Sequence, residues 1–392
     1  MKENSNNKEI GLSKSDKKAM KKMAMSGVQE LERLEVRYER MEKGHQKVAV
    51  IEEYVALADK LESHRERLWG RWDLAWACVF GGDPARALPV CAELLAIIEQ
   101  HPTLLRSNGL GGKNDMTLLV TMLMHSTSMS LPQIPKEQCF ALLQEARKKV
   151  DQFNKGHRFW EGYACRYYAA IGDFAQLEKH LELFLDTKRD SVSDCQACEV
   201  SNAARYMMLL GQQERALETI NTLTKTCSEQ PWLTISLIIR DALAQGNLEQ
   251  AKEYGRKLLN HPIRSTADVQ FAAALLHLEA VTQEGIWADT VLFERCMSWI
   301  VDLWDKDLQF DFYLCAWVFC NYLGKNQDTI ALSLPSQFAL YQKDGVYHCQ
   351  QLQDWFYQKS KEIADAFDAR NEYDGYTKEL KKVEKSMELF LK

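Results

Sequence analysis

Several things are scarce in this chain of 392 residues, and each scarcity excludes something. Proline occurs only eight times, so long helices are rarely interrupted. The longest apolar-rich segment, residues 116–124, contains two threonines and is about half of the ~20 residues a membrane-spanning helix requires. Charge of one sign is not in excess either. With 49 Lys and Arg against 55 Asp and Glu the net charge is -6, which gives no chain-wide attraction to nucleic acid or to an anionic membrane. The opening residues, Met1-Lys2-Glu3-Asn4-Ser5-Asn6-Asn7, carry no apolar signal region, and the expected location is the cytoplasm. Convincing period-two strand alternation is missing from residue 46 onward, which points to an all-α chain.

The common catalytic signatures are missing too. There is no His-Glu-x-x-His, no Gly-x-Ser-x-Gly and no dinucleotide fingerprint, and the nine histidines are scattered. The segment Gly109-Leu110-Gly111-Gly112-Lys113-Asn114 hints at a phosphate loop. However, Asn114 replaces the hydroxyl that would meet magnesium, and no strand precedes it, so it reads as a loop between hairpins. A non-enzyme is the expectation. The eleven cysteines are an odd number spread over a large chain, a usage that fits a reducing compartment better than a disulfide framework.

What the sequence does contain is a period. Gly172, Gly211, Gly246, Gly285 and Gly324 each break a helical stretch and are separated by 39, 35, 39 and 39 residues. This is the range of helix-hairpin repeats, in which each hairpin hides its apolar face only by stacking on its neighbours. An earlier instance, Gly82-Asp83-Pro84-Ala85-Arg86-Ala87, leaves room for one hairpin in between, with its turn at residues 130–135. About seven hairpins fit. The resulting organisation is an unstructured tail at 1–12, a basic capping helix at 13–45, a solenoid at 46–349 and capping helices at 350–392.

In the capping helix, Lys14, Lys17, Lys18, Lys21 and Lys22 crowd the start. Met20, Met23, Val28, Leu31, Leu34, Tyr38 and Met41 form one apolar stripe. The basic cluster is either an arm for an acidic partner or a solvated cap, and the cap is favoured. The C-terminal segment divides into two amphipathic helices near Asn371.

Three of the turns, Gly172-Asp173-Phe174-Ala175, Gly211-Gln212-Gln213-Glu214-Arg215-Ala216 and Gly246-Asn247-Leu248-Glu249-Gln250-Ala251, resemble those of tetratricopeptide repeats, where a small residue follows the turn glycine by five positions. Ala87, Ala216 and Ala251 fit this pattern, and Leu177 departs from it. Over residues 133–303 the chain is also similar to bacterial tetratricopeptide proteins of uncharacterised function. Those proteins carry like Asp-Cys-x-x-Cys and Cys-x-Glu-Gln-Pro motifs and a Gly-His such as Gly156-His157. The resemblance implies a right-handed α-solenoid and a cysteine pattern, and brings no activity.

Numbering each turn glycine as repeat position 15 gives residues a direction. Cys165 and Ala204 fall at position 8, where the helices of a hairpin approach closely, and Cys78 and Cys91 fall at packing positions. Cys315 and Cys320, on an aromatic helix, read as core. Trp69, Trp72 and Trp76 share one helical face and read as packing rather than as a ligand cage.

Cys195, Cys198 and Cys227 are different, because all three enter neighbouring repeats at the same end. A Cys-x-x-Cys pair is the usual half of a tetrahedral zinc site. A structural Cys3His zinc site is the leading reading, with His157 as fourth ligand and His180 as its substitute. Plain capping and packing, or a redox pair, stand as alternatives. Arg166, Arg205 and Arg240 share position 9, which tends to face the concave groove of such solenoids. They would bind the carboxylates of an acidic peptide or protein, with Asn202 on the peptide backbone and Tyr163 and Phe159 as walls. Pairing of each arginine with an acid of a neighbouring helix is the competing reading. The functional expectation is a peptide-binding scaffold; a peptide-sensing regulator is second, and a thiol- or metal-dependent enzyme is third.

Overall fold

The computed structural model describes residues 14–105, 112–227, 229–325 and 327–391, with side chains from residue 25 onward. The expected tail at 1–12, the glycines at 109–111 and the side chains of Lys14 to Met23 lie outside the described residues.

The fold is an all-α helical repeat. In chain order the helices are α1 (Lys14–Glu39), α2 (His45–Lys60), α3 (His64–Phe80), α4 (Pro84–Gln100), α5 (Lys113–Met129), α6 (Lys136–Phe153), α7 (His157–Ala170), α8 (Phe174–Asp186) and α9 (Gln196–Leu209). They continue as α10 (Gln213–Asn221), α11 (Trp232–Ala244), α12 (Leu248–Leu259), α13 (Val269–Thr282), α14 (Thr290–Ile300), α15 (Lys306–Gly324), α16 (Cys349–Asn371) and α17 (Gly375–Phe390). From α3 to α16 these pair as seven consecutive hairpins. From α5 to α15 the odd-numbered helices pack on one another in turn. None of the helices is long and apolar enough to cross a membrane.

The turns show why the glycines recur. Gly82, Gly172, Gly211 and Gly246 all have positive φ, between 71° and 89°. The residue after each one donates its N–H to a carbonyl five residues back: Asp83 to Cys78, Asp173 to Tyr168, Gln212 to Met207 and Asn247 to Ala242, at 2.8–3.0 Å. This left-handed closure satisfies orphan carbonyls at the end of the first helix. The next helix then starts at once. Asp173 and Asn247 accept the N–H groups of Gln176 and Gln250 as N-caps. Gly324 does not follow the rule, since it ends α15 without positive φ, packed against Cys349 and Gln353. The hairpin expected to turn there is opened by residues 325–348. These include a short antiparallel pair, β1 (Thr329–Ala331) with β2 (Val346–His348), in which Ile330 faces Tyr347. Three residues per strand are too few to display an alternation in sequence.

The core is a chain of clusters, as stacked hairpins require. One joins Leu177, Ala204, Ala216, Ile239 and Ala251, so the repeat's small residues lie where helices touch. The largest lies at the C-terminal end around Phe293, Phe312, Phe319, Phe356 and Phe367. Cys78, Cys91, Cys165, Cys315 and Cys320 are buried as expected, and so are Cys139, Cys296 and Cys349.

The superhelix does not stay open. Gly82, at the α3–α4 turn, accepts N–H bonds from Trp304 and Asp305 at 2.7 and 3.0 Å, which ties an early repeat to the start of α15. Arg370 of α16 donates to the carbonyl of Met129 at 2.9 Å, and Lys382 of α17 pairs with Asp241 of α11 at 2.9 Å. The C-terminal helices therefore strap repeats together, which goes beyond covering the end of a stack.

Candidate metal centre and inner face

The thiol site is built from two helix starts. Cys195 is the N-cap of α9: its Sγ accepts the N–H of Cys198 at 3.3 Å, while its own N–H is held by Asp194 Oδ1 at 2.7 Å. Two arginines fix the loop that delivers it. Arg158 donates to the carbonyls of Phe184 and Thr187, and both Arg158 and Arg189 bridge to the buried Glu199, at 3.0 and 3.1 Å. Before α11 the Cys227 to Gln230 segment closes on itself. Cys227 N donates to Gln230 O at 2.9 Å, Gln230 N donates back to Cys227 Sγ at 3.3 Å, and Trp232 Nε1 caps the Cys227 carbonyl at 3.2 Å. Cys195 and Cys227 thus each receive an N–H from the residue three places on. That hydrogen bond aims each sulfur.

Cys198, in the first turn of α9, points to the same place. Its Sγ lies 3.7 Å from that of Cys227, and all three sulfurs lie within 4.8 Å of one another. Two thiolates bound to one zinc at ~2.3 Å with a tetrahedral angle stand about 3.8 Å apart, so the cluster could hold a metal ion, with the Cys198–Cys227 pair at the required spacing. The positive ends of two helices meet there and offset the charge of several thiolates. Burial, then the charge of Asp194, raises Cys198 well above an ordinary thiol, and burial raises Cys195 as well. Cys195 and Cys198 therefore hold their protons more tightly than ordinary thiols do, and a bound cation would displace them. Cys195 is exposed, and Cys198 and Cys227 are half-buried; the other eight cysteines are buried. A plain packing role does not explain that contrast.

The histidines expected to complete the site are elsewhere. Among the described residues the cluster comprises the three cysteines alone, without His157. The ground beside the start of α7 is taken by Asp190, whose Oδ2 accepts the Gly156 N–H at 2.6 Å. His180 is committed to Glu161, with Nδ1 to Oε2 at 2.6 Å, and is stacked on Tyr168.

On the inner helices, Phe159, Tyr163 and Arg166 of α7 and Cys198, Asn202 and Arg205 of α9 each recur at steps of four and three, so each set forms one helical stripe. The two stripes are neighbours: the Tyr163 phenol is influenced by Asp194, Arg166 and Cys198, and Phe159 packs edge-on to Tyr163 at 4.9 Å. The three arginines have different fates. Arg240 is 7% exposed and ion-paired with Asp311 of α15 at 2.5 Å, which corrects the expectation that it meets a partner. Arg166 is half-buried and donates to Ser126 and, at 3.2 Å, to Ser130. Only Arg205 is exposed, and it makes no hydrogen bond or ion pair among the described residues.

The sequence reading missed the acids that face this row. Asp305, Asp307 and Asp311 open α15, and Asp307 is under the influence of both Arg166 and Arg205. Their spacing was visible in the sequence, but their helix is four to eight helices away from the arginines. A cleft of about 470 Å³ is lined by Tyr38, Lys43, Asp73, Trp72, Trp76 and Phe80. Trp72 and Trp76 are therefore partly packing and partly wall.

No protein-family model matches the chain, and comparison with curated proteins finds no match.

Proposed function

We propose that this chain is a binding scaffold of the tetratricopeptide kind, non-enzymatic, that holds an acidic peptide segment of a protein partner on the inner face of its middle repeats. The observation that carries this reading is Arg205: an exposed, unpaired guanidinium on an inner helix whose two counterparts are engaged within the chain. Arg166, Asn202, Tyr163 and Phe159 flank the same stretch. A guanidinium with no direct hydrogen bond or ion pair of its own is suited to bidentate capture of a carboxylate.

The thiol cluster serves this scaffold as a zinc staple. A zinc ion held by Cys195 and Cys198 of one hairpin and Cys227 of the next would fix the angle between α9 and α11, and hence the shape of the inner face. The sulfur spacing and the two N–H to sulfur bonds support this. The purified protein should carry one zinc per chain, with Cys198→Ser losing the metal and melting at lower temperature. Arg205→Ala should keep metal and melting temperature while losing a partner captured from native lysate. A metal-free wild type as stable as the zinc-loaded form would remove the staple. Unchanged capture by Arg205→Ala would remove the groove.

A further inference from the structure

The zinc staple has three protein donors, and its position on α9 makes the missing donor informative. Cys198, Asn202 and Arg205 lie at i, i+4 and i+7 on one helical stripe, so the edge of the metal cluster and the exposed guanidinium stand on the same face. Seven residues of helix separate their backbones by about 10 Å. Tyr163 of α7 stands beside this stripe, its phenol under the influence of Asp194, Arg166 and Cys198. The exposed member of the cluster is Cys195, so the ion is reachable from solvent. Among the described residues no histidine, carboxylate or further cysteine has a donor atom within 4.8 Å of all three sulfurs, and Asp194, beside Cys198, spends Oδ1 on the Cys195 N–H. A tetrahedral ion held by three thiolates takes its fourth donor from outside the chain, as open zinc sites do.

We infer that the partner segment supplies that donor: a cysteine thiolate of the peptide completes the metal's coordination, while an acidic side chain three residues away pairs with Arg205. Three residues of polyproline II chain span about 9 Å and return the side chain to the same face, which matches the helix interval. The peptide thiol gives its proton to solvent and its sulfur lone pair to the metal, and no electron changes hands. A soft ion already held by three thiolates takes sulfur readily as its fourth ligand. Two anchors at a fixed separation make the second contact intramolecular, so the metal and Arg205 act together.

This inference rests on the staple and the groove proposed above, and its test separates the three. The full-length protein is loaded with cobalt(II) in place of zinc, and its visible and thiolate-to-cobalt absorption is followed. The peptides acetyl-Cys-Ala-Ala-Glu-amide and acetyl-Glu-Ala-Ala-Cys-amide are added, alongside forms with Ser for Cys or Gln for Glu. One of the two cysteine peptides should shift the spectrum saturably and strengthen the charge-transfer band, and its serine form should not. The glutamine form should need about tenfold more peptide for the same shift, the loss expected from one charge-assisted hydrogen bond. In Arg205→Ala that tenfold difference should vanish while the spectral end point stays the same. If cobalt binds but neither cysteine peptide alters its spectrum, the external-donor inference is overturned and the staple stands. If cobalt does not bind, the staple fails first. A shift that is equal for Glu and Gln in the wild type overturns the pairing with Arg205.

Discussion

Two buried imidazoles set the acid side of this protein's stability. His125 bonds through Nδ1 to the Cys139 carbonyl at 3.1 Å, and His277 of α13 bonds through Nε2 to Ser386 of α17 at 2.8 Å. Burial, and secondarily the charge of Arg166, lowers His125 to about 4; burial, and secondarily Arg240, lowers His277 to about 3. Both values lie below the ordinary 6.5, so the unfolded chain takes up these protons first as pH falls. Their contribution is complete above about 6.5 and is lost between there and about 4 or 3, roughly 3 kcal/mol for His125 and roughly 5 kcal/mol for His277. Asp305 works in the opposite sense. Burial and the nearby Asp307 lift it to about 7, so the native state favours its protonated form and loses stability as pH rises from about 4 to 7. The two trends oppose each other in the shared window, so a variant reads them better than the wild type does. His277→Gln should be less stable than wild type at pH 8, with the gap shrinking by about 2 kcal/mol at pH 5 as the wild type loses its imidazole contribution. Denaturant midpoints at the two pH values check this, and an unchanged gap would sink it.

At the scale of elements, the turn glycines separate two demands that a sequence shows as one. Gly172 and Gly285 share a positive φ, 71° and 70°. A Cβ on Gly172 would stand 2.4 Å from the Tyr373 ring in the α16–α17 turn, whereas on Gly285 it would meet nothing within 4 Å. Gly285→Ala should therefore cost about 1 kcal/mol, the left-handed strain alone. Gly172→Ala should cost at least twice that, because Tyr373 must leave its edge-on contact with Phe174. Thermal unfolding of the pair decides, and equal shifts would mean that Tyr373 does not press on the turn.

The glycine period and the small residues behind it were legible because they obey local rules of helix closure and hairpin packing. The two C-terminal helices, split at Asn371, were legible for the same reason. Convergence of Cys195, Cys198 and Cys227 followed from the repeat frame, since neighbouring repeats put like positions side by side. Two things were not legible. The place of His157 depended on which side chain took the ground beside Gly156, and the burial of Arg240 depended on Asp311, which is 71 residues away. A periodic pattern gives the direction of a side chain. It does not give what distant helix arrives in front of it.

Those arrivals determine how the whole molecule unfolds. An open solenoid has only neighbour contacts, so its ends fray and its repeats melt in sequence. Here Arg370 reaches from α16 to the end of α5, donating to Met129 O at 2.9 Å and to the carbonyls of Ser128, Leu131 and Ile134 at 3.4 Å. Met129 and Ser128 lie in the last turn of α5, where a guanidinium also meets the negative end of the helix. Lys136 at the start of α6 pairs with Glu372 beside it, and Gly82 accepts from Trp304 and Asp305 further round. Closure of this kind links early and late repeats into one cooperative unit, because neither can melt without stripping polar partners from the other. Removing the central donor should break that linkage. Arg370→Ala takes the strong donor from the Met129 carbonyl, at about 1–3 kcal/mol. The wild type should unfold in urea as one transition with coincident fluorescence and circular dichroism. In Arg370→Ala the two probes should separate, with a smaller slope for the first step as less surface is exposed in it. Coincident probes in the variant, at a lower midpoint and an unchanged slope, would mean that packing of α17 on α11 and α13 holds the closed form without this arginine.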